Sequence, residues 1–259
     1  MDEALRNKIK ALAQDKDEAL LGARFIDLDQ LAQKRKSVVA TGFLSQSEQA
    51  YCQMLHGYVK SRIFYYGGFD GAQRCMAMFL PEEWSEPDKS LIAILRVEYT
   101  GQLGHRDLLG SVLGTGIQRD AVGDILVGKD CSFVIVTEVI CSYLLQNLHK
   151  VGRLPVTVKK IAESELEIPE ILYKIEQGTV ASVRLDGVIA EGFHISRDTA
   201  QEAIRRELVQ VNHRIVSSAS KLVRQGDTIS LRGYGKMILE EIGGESRKGR
   251  IWVTFKKFC

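Results

Sequence analysis

The amino-acid sequence predicts an α+β protein made of three small domains, at residues 1–88, 89–170 and 171–259. Two polar stretches that contain proline, residues 81–89 and 162–170, separate these segments and have the composition of linkers. The middle segment alternates strand and helix patterns in an order that belongs to a known sheet class. The last segment is basic, whereas the first two are nearly neutral.

The first segment is predicted to be an N-terminal domain of helices and a β-hairpin. Residues 2–36 carry apolar positions three and four apart, and Ser45 with Glu48 has the pattern of a capping box at the start of another helix. Residues 63–66 and 73–80 are predicted strands, and the pair of glycines between them predicts a turn.

The middle segment is predicted to be a ferredoxin-like domain. The predicted strands are residues 91–99, 125–127, 131–136 and 156–161, and the predicted helices are residues 105–113 and a helix that Thr137 caps. This βαββαβ order predicts one sheet with both helices on the same face. RNA-recognition-motif domains share the order and stack bases on aromatic residues of the third strand. That strand offers only Phe133 here, so the pattern predicts the fold but argues against this mode of RNA reading.

The last segment is predicted to hold two short helices followed by short strands. A lead-in helix is predicted at residues 171–177, ahead of them. In the second helix Ser196 is the predicted N-cap, and apolar residues three and four apart form a buried stripe. Residues 209–212 and 228–232 are predicted strands, and Ile229 alternates inward with a leucine two residues later.

Positive charge is concentrated near the end of the chain. Residues 179–259 hold 14 Lys and Arg against 9 Asp and Glu, a balance of +5. Residues 1–88 hold 11 against 13, and residues 89–178 hold 10 against 11. A positive segment on a nearly neutral protein is typical of a polyanion binder. A basic surface that is only solvated is the alternative.

Two features of this basic segment predict contacts with phosphates and bases. An N-cap at Ser196 leaves backbone N–H groups unpaired at the helix start, where Arg197 adds a full charge, so this end is suited to a phosphate. Residues 232–236 place Tyr234 between two glycines and two cations, a pattern for stacking on a base or sugar. We expect Tyr234 to be exposed and both cations to share a face with Arg197. Residues 246–250 form a second basic loop, and ordinary hairpin turns are the alternative for both loops.

The last segment resembles the S-four-type RNA-binding domains. The residues that carry this resemblance are Arg184-Leu185-Asp186, Ser196-Arg197 with Ala200, Val209-Gln210-Val211-Asn212 and Gly226-Asp227. In one departure, Glu207 stands where many members have a glycine, and glutamate enters a left-handed helix end at a higher cost. The resemblance implies that residues 171–259 are an S-four-type α/β RNA-binding domain.

The chain as a whole resembles the YlmH-type proteins of Gram-positive bacteria. The matching runs are GQLGHRD at residues 101–107, GIQR and GDI within residues 116–125, and LRGYGK at residues 231–236. This resemblance implies a non-catalytic cytoplasmic protein that binds structured rRNA at the large ribosomal subunit, in rescue of stalled translation, with tRNA as a further candidate ligand. It also implies a link to cell division, with cell-division proteins as candidate partners.

The candidate RNA-binding residues are polar, aromatic and cationic side chains of the last segment. They are Arg184, Ser196, Arg197, Arg205, Asn212, His213, Arg214, Lys221, Arg232, Tyr234, Lys236, Arg247, Lys248 and Arg250. By the resemblance, Arg184, Arg197 and the cations of the two loops would face structured RNA at the ribosome.

Two alternatives to this interpretation remain, an RNA-modifying enzyme that resembles pseudouridine synthases and an interaction scaffold of cell division. Pseudouridine synthases use an Asp in an Arg-Leu-Asp context, but here residues 184–186 lie within the last domain, and a catalytic domain would have to follow them. Residues 105–108 copy the start of a kinase loop, but Val112 stands where the kinase needs Asn. No complete nucleophile and base set, phosphate loop or metal-ligand cluster is seen, so we expect no catalysis, cofactor or metal.

The composition predicts a cytoplasmic protein with reduced thiols. The five cysteines have neither zinc-ligand nor CxxC spacing, and an odd number cannot pair completely. No apolar run approaches the roughly 20 residues of a membrane span, and the first residues are acidic rather than a signal sequence. We therefore expect buried or inert thiols in a reducing compartment.

Overall fold

The computed structural model describes residues 3–128, 131–168 and 173–258. The chain divides into two compact units, Met1–Pro169 and Glu170–Cys259. The predicted α+β class is confirmed, because both units combine helices with antiparallel sheets. The three-stranded and four-stranded sheets of the first unit share part of their hydrophobic core, so the predicted boundary between residues 88 and 89 stays a prediction.

The first part of this unit contains three helices and a three-stranded sheet. The elements are α1 (Glu3–Leu12), α2 (Lys16–Arg35), β1 (Val39–Leu44), α3 (Gln46–Met54), a 3-10 turn (His56–Tyr58), β2 (Arg62–Tyr66) and β3 (Cys75–Leu80). The strands are antiparallel in the order β1-β3-β2, so the predicted hairpin has an additional strand on its far edge.

Local caps set the helix boundaries here. The helical pattern of residues 2–36 forms two helices, because Asp15 caps α2 by accepting a hydrogen bond from the Glu18 N–H at 2.8 Å. The predicted capping box of Ser45 and Glu48 is confirmed, with both reciprocal hydrogen bonds formed. Each cap thus marks a helix start that the sequence itself encodes.

The second part of the unit has the predicted ferredoxin-like fold. Its elements are a 3-10 turn (Lys89–Leu91), β4 (Ile92–Glu98), α4 (His105–Leu113), a 3-10 turn (Arg119–Ala121), β5 (Val122–Val127), β6 (Cys131–Thr137), α5 (Glu138–Asn147), β7 (Lys150–Val151), β8 (Leu154–Pro155), β9 (Thr157–Ile161) and a 3-10 turn (Glu163–Glu165). The sheet order β5-β6-β4-β9 is antiparallel throughout, which confirms the prediction. The short hairpin of β7 and β8 was not evident from periodicity. Thr137 takes the N-cap position of α5 without a side-chain capping bond.

The two faces of this four-stranded sheet are covered by different elements. Helices α4 and α5 cover one face, with Leu108 and Leu144 in that core. On the other face, Phe133 and Ile135 pack in one core with Phe43 and further residues of the three-stranded sheet. Phe133 is only 2% exposed. The face on which an RNA-recognition motif stacks bases is therefore closed around Phe133.

Polar contacts around Arg74 also join the two sheets. Its guanidinium donates to the Phe43 carbonyl oxygen at 2.6 Å and to the Val122 carbonyl oxygen at 3.1 Å. The Asp124 carboxylate accepts hydrogen bonds from the backbone N–H groups of Gln73 and Arg74 at 2.6 and 3.1 Å. The two sheets are therefore held by hydrogen bonds as well as by the shared core.

The second unit is a six-stranded sheet with two helices on one face. Its elements are β10 (Tyr173–Val180), α6 (Leu185–Gly192), α7 (Arg197–Arg205), β11 (Val209–Val211), β12 (Arg214–Ile215), β13 (Thr228–Leu231), β14 (Gly235–Glu245) and β15 (Ile251–Phe258). The strand order is β10-β15-β14-β13-β11-β12.

Gly192 of α6 allows a close approach to the sheet, since a Cβ there would lie 2.3 Å from Met237 Sδ. Ile229 and Leu231 point inward and are buried, as predicted.

The predicted lead-in helix at residues 171–177 is wrong. Residues 173–177 belong to β10, which pairs with β15 from Tyr173 opposite Phe258 to Val180 opposite Ile251, and residues 171 and 172 lie outside the described part. A short apolar run fits a helix or a strand by periodicity alone. The partner strand lies at the far end of the unit, so local pattern could not decide between them.

The described cysteines are mostly buried. Cys52, Cys75 and Cys141 are buried, Cys131 is half-buried, and none of these four forms a disulfide. Burial raises the pKa of Cys52 to about 12 and that of Cys75 to about 11, and nearby carboxylates add to both effects, so these thiols are protonated at neutral pH. In the described ranges no helix has the length and apolar character needed to cross a membrane.

Candidate nucleic-acid interface

A buried carboxylate organises the start of both helices in the second unit. Asp186, in the first turn of α6, is fully buried. It accepts hydrogen bonds from Arg197 Nε at 3.0 Å, from Gln201 Nε2 at 2.9 Å and from the Gly187 N–H at 2.9 Å. The guanidinium of Arg184 approaches both carboxylate oxygens at 3.3 Å. Asp186 therefore links α6 to α7 and fixes two arginine side chains beside each other.

The electrostatics of this cluster leave a positive surface. Burial raises the pKa of Asp186, but hydrogen bonds from one glutamine, two arginines and a backbone N–H outweigh burial and hold that pKa below its usual range. The carboxylate is therefore ionised at neutral pH. The side chains of Arg184 and Arg197 remain 39% and 52% exposed, so each keeps N–H donors for a ligand. One buried negative charge thus orients two exposed positive charges.

The start of α7 has the predicted cap and lies beside a cleft. Ser196 Oγ accepts a hydrogen bond from the Thr199 N–H at 3.0 Å, which confirms the N-cap. Arg197 and Arg250 line one cleft of about 220 Å³. Arg250 is held there by Thr179, whose Oγ1 accepts a hydrogen bond from Nε at 2.9 Å and whose carbonyl oxygen accepts one from Nη2. The fold therefore brings together two cations from distant parts of the sequence.

The turn between β13 and β14 presents an aromatic ring to solvent. Tyr234 is 56% exposed, which confirms the predicted exposure, and the edge of its ring meets Phe193 with 6.3 Å between the ring centroids. Gly233 and Gly235, on either side, have φ values of +89° and +111°, a conformation that favours glycine. Arg232 is exposed in the same turn. The backbone of this turn thus uses its glycines, and its aromatic side chain is open to solvent.

Lys236 lies on the face of the sheet away from the helices. Its neighbour Met237 packs toward α6, and successive side chains of a strand point to opposite faces. Lys236 Nζ accordingly lies 4.6 Å from the centroid of the Phe258 ring, and burial lowers the pKa of Lys236. The expectation that Lys236 shares a face with Arg197 is therefore wrong, because a one-residue step along β14 reverses the direction of the side chain.

Asn212 and His213 form the tight turn after β11. Both have left-handed backbones, with φ values of +49° and +64°. The Asn212 side chain donates to Asp227 Oδ1 at 2.8 Å and accepts from the Thr228 N–H at 2.9 Å, so it holds the turn against β13. Burial, and then the nearby charge of Lys236, lower the pKa of His213. For both residues a contact with RNA stays a prediction.

The remaining candidate residues are cations at separate places on the surface. Exposed Arg205 forms a double hydrogen bond with Glu202 on the same helix, at 2.9 and 2.8 Å. Arg214 is half-buried in β12. The other exposed cations of the prediction are Lys221, Arg247 and Lys248. Their contact with RNA also stays a prediction.

The end of α7 keeps a left-handed turn although it lacks the glycine of related domains. Glu207 has a φ of +57°, its N–H donates to the Ile204 carbonyl oxygen at 3.0 Å, and the Leu208 N–H donates to the Ala203 carbonyl oxygen at 3.0 Å. This pair of bonds is a Schellman motif. The turn thus has the geometry that glycine favours, and Glu207 carries the steric strain.

Sequence reasoning missed three residues that shape this surface, namely Asp186 in its organising role, Gln201 and Thr179. A signal for Asp186 existed, because an acidic residue between the apolar residues of a buried helix needs partners. Gln201 lies one turn after Arg197 on the same helix, which also fits a shared acceptor. No local signal could have placed Thr179 beside Arg250.

Two family models match the chain in the regions just described. A model described as "Putative RNA-binding domain in YlmH" matches residues 87–165, and an S4 domain model matches residues 183–229. The first match covers the ferredoxin-like fold, and the second covers α6, α7 and the strands up to β13.

A relative and a solved structure extend these matches. The "Ribosome-associated protein quality control protein P2" of Bacillus subtilis (strain 168) is 31% identical over 247 residues, covering 93% of this chain and 96% of that protein. The solved structure "Cell division protein ylmH from Streptococcus pneumoniae" covers 61% of this chain and 98% of its own, with a TM-score of 0.54 and 18% identity. At that identity the likeness shows the fold alone.

Proposed function

The chain belongs to the YlmH family, and we propose that it is a non-catalytic cytoplasmic protein that binds structured RNA at the ribosome. The family membership rests on a relative that is 31% identical over nearly the full length of both proteins. Two findings support the proposed function. Both matched family models describe domains that occur in RNA-binding proteins, and the name of the relative describes a ribosome-associated protein.

The observation that carries this proposal is the pair of arginine side chains fixed by Asp186. A flexible arginine loses side-chain entropy when it binds a phosphate, and a preorganised one loses less. Arg184 and Arg197 already share one buried acceptor, and both remain partly exposed at the start of the helices. Asp186 occupies only part of each guanidinium, so the remaining N–H donors are open to a ligand.

The proposed mechanism is recognition of a folded RNA backbone. Phosphates would occupy the cleft that Arg197 and Arg250 line, next to the positive end of α7. Tyr234 is exposed on its glycine turn and would stack on an unpaired base or a sugar at the edge of this contact. Recognition of this kind needs no general base, nucleophile or metal.

The proposed partner is the large ribosomal subunit, in rescue of stalled translation, with tRNA as a second ligand. The support is the quality-control role in the name of the relative. A cell-division scaffold and an RNA-modifying enzyme are the competing functions, and the experiment below separates them.

Sedimentation of the tagged full-length protein through a sucrose gradient tests this proposal. We expect the protein to migrate with free large subunits at low salt and to leave them as salt rises, because phosphate contacts are lost to competing cations. Arg197→Ala should shift the protein toward the top of the gradient. Arg205→Ala is the matched control, because Arg205 is an arginine of the same helix that is already paired with Glu202.

Three outcomes would contradict the proposal. Migration at the top of the gradient together with a cell-division protein would favour the scaffold. A new modified nucleoside in RNA incubated with the protein, detected by mass spectrometry, would show catalysis. Equal sedimentation of the Arg197→Ala and Arg205→Ala variants would show that the pair of Arg184 and Arg197 does not bind the RNA.

A further inference from the structure

The ferredoxin-like domain has lost the surface that domains of its topology use for RNA. The open face of its sheet is closed by the three-stranded sheet, and Phe133 is buried in the shared core. Any contact of this domain with RNA must therefore use an edge, a loop or the outer side of the helices. Exposed cations without a carboxylate partner are the residues of such places that could bind phosphate.

Two segments that meet beside α4 carry such cations. The first is the loop from β4 into α4, residues 99–106, and the second is the hairpin of β7 and β8 with its flanks, residues 148–156. A Cβ on Gly101 would lie 3.1 Å from Leu154 Cδ1, and the Gly152 N–H donates to Ser111 Oγ on α4 at 3.2 Å. The hairpin therefore lies against both the loop and the helix.

The net charge of these two segments is positive, and the acids Glu98 and Asp107 flank the first of them. Together they contain Arg106, Lys150 and Arg153 and no Asp or Glu. All three side chains are exposed. Arg153 lies at the hairpin turn, between the residue that contacts Ser111 and the residue that contacts Gly101. The three cations therefore lie on two segments that contact each other beside α4, and we call this surface the α4 patch.

Several other described cations of the same domain are paired with carboxylates, which sets the α4 patch apart. Lys89 lies 3.3 Å from Glu163, Lys159 lies 2.9 Å from Glu98, and Lys160 lies 2.7 Å from Glu138. Within the described ranges no ion pair involves a cation of the α4 patch. Unpaired cations that are not satisfied within the protein are available to neutralise phosphates.

We propose that the α4 patch is a second RNA-binding surface, which holds the phosphate backbone of double-helical RNA. The partner is a backbone rather than a base, because the patch offers three cations, and Tyr99, which is the Phe, Tyr or Trp residue of its two segments, is half-buried. The inference rests on the proposed function, since it assumes that the protein binds RNA. It adds that the first unit contributes to affinity without sequence preference.

The test compares two triple variants of the full-length protein that change the net charge equally. The patch variant combines Arg106→Ala, Lys150→Ala and Arg153→Ala. The control variant combines Lys89→Ala, Lys159→Ala and Lys160→Ala, which removes three cations of the same domain that are already paired. Affinity for purified large ribosomal subunits and for a labelled RNA hairpin is measured across a salt series, and circular dichroism checks that each variant is folded.

The expected result is a loss that is specific to the patch variant. Its slope of log affinity against log salt should fall by about one for each lost phosphate contact. Its affinity at low salt should fall roughly tenfold or more, and that of the control variant by less than about threefold.

The outcomes for the patch and for the proposed function are distinguishable. If the unmodified protein shows no salt-dependent binding to either ligand, the proposed function fails. If it binds both ligands but the patch and control variants have equal affinities and slopes, only the second surface is refuted. If the patch variant is unfolded, the charge-reversing single variant Arg153→Glu, at an exposed hairpin turn, replaces it and should show a drop in affinity larger than that of Lys159→Glu.

Discussion

Replacement of Asp186 by asparagine tests whether one buried carboxylate organises the surface of the second unit. Asparagine keeps the volume of the side chain, so no cavity is formed. It removes the negative charge and replaces one acceptor oxygen with an N–H2 group that cannot accept. The donors of Arg184, Arg197 and Gln201, and the Gly187 N–H, then compete for a single oxygen.

The expected loss in free energy of unfolding is about 2–3 kcal/mol. A hydrogen bond to a charged group contributes about 1.5–3 kcal/mol, and breaking a fully buried ion pair costs about 3–5 kcal/mol. The upper range does not apply here, because the side chains of Arg184 and Arg197 are 39% and 52% exposed and can regain water. The Gly187 N–H has no such freedom, since it is part of α6.

Urea unfolding followed by tryptophan fluorescence measures this loss. Trp84 lies in the first unit and Trp252 in the second, so a Trp84→Phe background makes the signal specific to the second unit. Asp198→Asn is the control, because Asp198 is an exposed acid in the first turn of α7 and its loss should change stability by less than about 0.5 kcal/mol.

The pH dependence gives this prediction a second, independent measurement. The folded pKa of Asp186 lies below its unfolded value, so its contribution to stability is complete above the unfolded pKa of about 4 and is lost as pH falls through the folded pKa. The difference between the protein and Asp186→Asn should therefore be constant near neutral pH and shrink in acid. A variant of unchanged stability, or a difference that persists at low pH, would refute the organising role.

Four further predictions follow from the same structure. Glu207→Gly should raise the free energy of unfolding by about 0.5–1 kcal/mol in urea titrations, because the left-handed strain exceeds the added chain entropy of glycine; a loss would contradict the left-handed turn. Tyr234→Ala should weaken RNA binding in fluorescence anisotropy by about 1–3 kcal/mol and cost less than about 1 kcal/mol of stability, since the ring is mostly exposed; the reverse pattern would make it a core residue. Phe133→Ala should lower the free energy of unfolding by about 3–5 kcal/mol in thermal or urea unfolding, because the ring is buried. A loss of RNA affinity at unchanged stability would indicate instead that Phe133 contacts RNA directly. Residues 170–259 expressed alone should bind RNA with a steep salt dependence. Residues 179–259 should have a much lower free energy of unfolding in urea, because the shorter fragment lacks most of β10; equal stability of the two fragments would show that β10 is dispensable.

Features that depend on neighbouring residues could be predicted from the sequence. The bounds of α4 match the prediction, as do the capping box at Ser45 and the N-cap at Ser196. The order of elements in the middle segment predicted the ferredoxin-like sheet correctly. Caps and helical periodicity involve residues within about four positions of each other, so the sequence carries their whole signal. Strand β1 is a local element that was not predicted, because its short apolar run includes Gly42 and shows little alternation of apolar and polar residues.

Only the tertiary structure decided how these elements face one another. The sequence identified Arg197 and Arg250 as separate candidates, but the fold brings them to one cleft, and it joins Arg197 to Arg184 through Asp186. The sequence predicts a loop at residues 232–236, whereas Lys236 belongs to β14, and the register of that strand directs its side chain to the opposite face. Such outcomes depend on which strands pair and which faces meet. Those choices are set by burial of apolar surface between segments far apart in the chain, and no local pattern records them.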